Sequence, residues 1–93
     1  TSFVLHVDRK ADLEQARQWI KEAMESSVHF IKDRDSGISI QDISEEMIYL
    51  SVSGWVNFAA NASSFKNDVL LVLYKKFEAE GLKFYSVIPP KGN

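Results

Sequence analysis

From Phe3 to Asp8 the chain alternates, with Phe3, Leu5 and Val7 on one side and Val4, His6 and Asp8 on the other, which is the period of a half-buried strand. The period then changes. Asp12 stands three residues ahead of Gln15, a capped helix start, and Leu13, Ala16, Ile20, Ala23 and Met24 recur behind it at helical spacing. Lys10–Glu14 and Lys21–Glu25 lie four apart and read as a solvated helix face, adding about 0.3 kcal/mol each. Residues 26–37 hold Val28, Phe30 and Ile31 and end in Asp33-Arg34-Asp35-Ser36-Gly37, which has the chemistry of a turn.

A second strand is predicted over residues 38–43. After the polar break Ser44-Glu45-Glu46, residues 47–57 alternate strictly, with Ile48, Leu50, Val52 and Val56 opposite Tyr49, Ser51, Ser53 and Trp55. This is the longest predicted strand, and Gly54 within it signals a bulge or a close approach. Asn61-Ala62-Ser63-Ser64 offers caps for a second helix, whose Phe65, Val69, Val72, Leu73 and Phe77 share one side and which Gly81 can end in the left-handed conformation. Residues 83–88 read as a last strand. Pro89-Pro90 cannot continue it, because proline has no N–H to donate.

The predicted order is βαββαβ. Right-handed crossovers put both helices on the same side of the sheet. The expected class is therefore α+β: a ferredoxin-like βαββαβ sandwich, a four-stranded antiparallel sheet with two helices on one face and the other face uncovered. No internal repeat or low-complexity stretch competes with this reading.

At 93 residues one domain over residues 1–93 is expected, since a chain of this size buries only roughly 60–65% of its unfolded surface. Hydrophobic residues make up 45% and charged residues 26%, too apolar for a disordered tail. The formal net charge of −2 supplies no positive field to collect nucleic acid, so no nucleic-acid partner is expected. The chain has no cysteine, which removes disulfides, thiolate metal sites and thiol nucleophiles together. The longest apolar run, Val69-Leu70-Leu71-Val72-Leu73, falls far below the ~20 residues that span a bilayer. The opening Thr1-Ser2-Phe3-Val4-Leu5 lacks an initiator Met and already reads as a strand, so a fragment of a longer protein is expected.

Candidate chemistry is sparse. His6 and His29 have no partner ligand at a fixed short spacing, and no metal site is expected. His6 with Asp8 reads as an exposed polar pair on the uncovered face. Asp33, Asp35, Asp42, Glu45 and Glu46 lack the every-second-residue spacing and terminal Glu of a calcium loop. No nucleophile elbow surrounds the serines, and the glycines form no phosphate-binding loop, so neither an enzyme nor a cofactor is expected. The aromatics remain: Tyr49 and Trp55 from the third strand, with Tyr85 from the last, place large rings on the uncovered face and form a candidate protein interface. Sheets of this fold that bind RNA stack bases there, but the Lys/Arg-Gly-aromatic signature is missing.

Asp12-Leu13-Glu14-Gln15-Ala16-Arg17-Gln18-Trp19-Ile20, Ile31-Lys32-Asp33-Arg34, Val52-Ser53-Gly54-Trp55-Val56 and Phe77-Glu78-Ala79-Glu80-Gly81-Leu82-Lys83-Phe84 occur in an order and spacing that resemble the cytoplasmic C-terminal α/β domain of bacterial small-conductance mechanosensitive ion channels. The resemblance runs over roughly positions 3 to 85. It departs at the end, where Phe84-Tyr85-Ser86-Val87-Ile88-Pro89-Pro90 replaces the family's aromatic-Pro-aromatic-Pro-Gln strand. The resemblance implies a homo-heptameric inner-membrane channel, attached to the membrane only through N-terminal transmembrane segments outside this sequence. It releases ions and small solutes on hypo-osmotic shock. This domain would face the cytoplasm as part of the vestibule wall and of subunit assembly. A rival reading on the same fold is a regulatory or metal-sensing domain of a cation-efflux transporter, in which His6, Asp8 and His29 would matter. An acylphosphatase-like enzyme would need an Arg-rich phosphate loop after the first strand, which is absent.

Overall fold

A computed structural model describes residues 1–86. Along them run β1 (Ser2–Asp8), α1 (Leu13–Ser26), β2 (Gly37–Ile43), β3 (Met47–Ser53), a 3₁₀ turn (Ala59–Asn61), α2 (Ala62–Ala79) and β4 (Phe84–Tyr85). The sheet is antiparallel with strand order β2-β3-β1-β4, so the α+β class and the ferredoxin-like βαββαβ order expected from the sequence are those observed. Its centre is the β1–β3 ladder, in register from Ser2 opposite Ser53 to Asp8 opposite Met47. The alternation in both strands sends Leu5, Val7, Ile48, Leu50 and Val52 to one face, where they form the core with the two helices.

The helices carry the faces their periodicity predicts. In α1 the Asp12 carboxylate accepts the Gln15 N–H at 3.1 Å, and Ala16, Ile20, Ala23 and Met24 are buried behind it. In α2 the fully buried positions recur every fourth residue as Phe65, Val69, Leu73 and Phe77, while Val72 is half-buried. Phe65 stacks on Phe30 with centroids 5.7 Å apart, and Phe77 meets Trp19 edge-on at 5.3 Å. Gly81 takes φ 68°. There its N–H bonds the Glu78 carbonyl and that of Leu82 bonds the Phe77 carbonyl, which also accepts the Glu80 N–H, so these carbonyls at the helix end have partners.

Several expectations need correction. The second helix is not capped by the side chain of Asn61, which instead bonds Asn57; the 3₁₀ turn feeds directly into α2. Lys10 lies ahead of α1 in the connecting turn, and the one ion pair among the described residues joins the helices, Lys76 to Glu22 at 3.9 Å. The third strand stops at Ser53 rather than Asn57, because its partners change. Gly54 exchanges two backbone bonds with Thr1, of 2.7 and 2.9 Å, and beyond it Trp55 and Asn57 bond Ile31 and His29 around an isolated Phe30–Val56 bridge. The close approach at Gly54 comes from side chains: a Cβ there would stand 3.0 Å from the Phe30 ring and 3.1 Å from the Met24 methyl. The last predicted strand is observed as Phe84–Tyr85, and its continuation through Val87-Ile88 to Pro89-Pro90 lies outside the described residues.

β2 holds a feature that its sequence alternation hides. The pairing shifts between Ile40, opposite Leu50, and Asp42, opposite Tyr49, so Gln41 is the extra residue of a bulge. Ile38, Ile40 and Ile43 consequently all share the helix side with Val52, Leu50 and Ile48, yet none of the three is fully buried.

Asp8 ties three segments together. Its two carboxylate oxygens accept the N–H of Lys10 at 3.0 Å and of Lys83 at 3.3 Å, joining the end of β1 to the turn before α1 and to the start of β4. The Lys10 hydrogen bond, opposed by partial desolvation and aided by the Lys83 bond and the two lysine charges, holds the carboxyl below its ordinary value of 3.8.

Two predictions follow from burial and charge. Leu50→Ala should cost about 3 kcal/mol in urea unfolding, whereas Ile40→Ala, its neighbour on β2, should cost under about 1 kcal/mol. A depressed carboxyl stabilises the fold above its unfolded pKa and loses that contribution as pH falls through the folded one. The stability gap between the parent chain and Asp8→Asn should therefore be full at neutral pH and narrow below pH 3.8, as read from urea midpoints over that range.

Candidate functional site

The uncovered face of the sheet divides into two halves. At one end a single row crosses all four strands, Asp42–Tyr49–His6–Tyr85, by the register of β2, β3, β1 and β4. With strands about 4.8 Å apart this row spans roughly 14 Å. The next rows are Ser39–Ser51–Val4 and Gly37–Ser53–Ser2, where short side chains leave the backbone close to the surface.

His6 is not the exposed residue that strand alternation suggests: only 5% of it is accessible. Its Nδ1 lies 3.2 Å from the Tyr85 carbonyl oxygen, which can only accept, so Nδ1 carries the proton. The ring stands edge-on to Tyr49, centroids 4.8 Å apart at 74°. His6 thus fastens β4 to β1 and props Tyr49, while Tyr85 remains exposed. This commits the pair that a metal-sensing site would need, since one nitrogen of His6 and both oxygens of Asp8 already have partners within the fold. Among the described residues no three His, Cys, Asp or Glu side chains are grouped to hold a metal ion.

Trp55 lies apart from this row. Six residues beyond Tyr49, about 20 Å along an extended chain, it follows the end of β3 and is half-exposed with the Arg34 guanidinium 5.1 Å from its ring centroid. The structure therefore brings Tyr49 and Tyr85 together through His6 and sets Trp55 at the opposite end, beside Thr1, Asp35 and Gly37.

Beside the aromatic row an open cleft of about 560 Å³ is lined by Asp8, Arg9, Lys10, Glu45, Glu46 and Lys83 among others. Both signs of charge meet there, which disfavours selection of one ion. A second polar cluster, not anticipated from sequence, sits between the helices: the Ser27 hydroxyl donates to Asp68 at 2.7 Å and accepts the His29 backbone N–H at 3.3 Å. His29 takes part through its backbone, so the cluster has no imidazole base for the hydroxyl and serves to join the end of α1 to α2. The uncovered face thus carries an aromatic row at one end and rows of short, mostly hydroxyl-bearing side chains beside it.

No family model matches the sequence, and no curated protein matches it. Among solved structures, the crystal structure of Helicobacter pylori MscS in its closed state matches over 100% of this chain, with a TM-score of 0.77 at 13% sequence identity. The match covers 37% of that chain, so this sequence spans little more than a third of the H. pylori protein. No helix among the described residues is long and apolar enough to cross a membrane. In fold, the chain is similar to a part of the H. pylori MscS subunit.

Proposed function

We propose that this chain is the C-terminal domain of a subunit of a bacterial mechanosensitive channel of small conductance. In that reading it belongs to a longer protein of the inner membrane, faces the cytoplasm and forms part of the vestibule wall in a ring of seven identical subunits. The pore then opens under membrane tension and releases ions and small solutes. The observation that supports the reading is the fold match of this whole chain to a part of an MscS channel subunit, found for a sequence whose ordered motifs resemble the same family. The surface chemistry supports it as well, since the polar clusters are spent on holding strands and helices together and the uncovered face is suited to packing.

Within this role Tyr49 and Tyr85 form one contact surface and Trp55 another, each against a neighbouring domain or subunit. The hydroxyl-rich rows between them, with no long side chains, allow a neighbour to approach closely.

The test is electrophysiological. The longer protein that contains this chain, expressed in bacteria lacking their own mechanosensitive channels, should give tension-gated current in excised patches; protein present in the membrane without such current overturns the reading. Trp55→Ala should weaken subunit assembly on native gels or shift the opening tension. If both are unchanged, Trp55 has no part in the contact.

A further inference from the structure

We draw no further inference here: the strongest candidate, the exposed apolar patch of Val28 and Phe58, where the turn after α1 is held against the approach to the 3₁₀ turn by the Asn57 N–H bond to the His29 carbonyl, carries nothing because nothing in the structure shows what covers it.

Discussion

The pairing of β1 with β3 is the constraint on which the rest of the domain depends. Leu5 faces Leu50 across the ladder with both side chains fully buried, and all the other elements are placed by how they serve these two strands. α1 and α2 cover one side, through Ala16, Ile20, Phe65, Val69 and their neighbours. β2 and β4 satisfy the outward backbone groups of β3 and β1 and are themselves only lightly covered. The position of Gly54, tight under Phe30 and Met24, marks where this arrangement ends and β3 hands over to a different partner.

The features legible in the sequence are those fixed within a few residues. Asp12 and Gln15 announce α1 because a cap is a bond across three residues, and Gly81 announces the end of α2 because the chain must turn there through a positive φ. The faces of β1, β3 and both helices follow from simple periodicity. The misses arise where the answer depends on a distant partner. The alternation of 47–57 runs unbroken past Ser53, yet only the arrival of Ile31 and His29 shows that its last residues leave the sheet. Nor does the order Ile-Ser-Ile-Gln-Asp-Ile reveal a bulge, which is defined by the register with β3.

The candidate site shows the same division. Tyr49 and Tyr85 could be assigned to the uncovered face from alternation alone. That His6 would be enclosed between them could not, because its burial comes from two other strands and from the carbonyl of a residue 79 positions away. Parity along the chain groups Trp55 with Tyr49, but Trp55 stands beyond the strand's end and beside Arg34, a residue from the turn before β2. Proximity of that kind is set by topology and leaves no local signal.

The bonds that join Thr1 to Gly54 continue the β1–β3 ladder to the amino end of the chain. This gives the sheet a mechanical direction. A force drawn through Thr1 along the axis of β1 is a shear load, shared at once by the bonds to β3 on one side and to β4 on the other. The same force applied across the sheet would peel those bonds apart in turn, beginning with the Thr1–Gly54 pair, so the domain is stiff along its central strand and compliant across it.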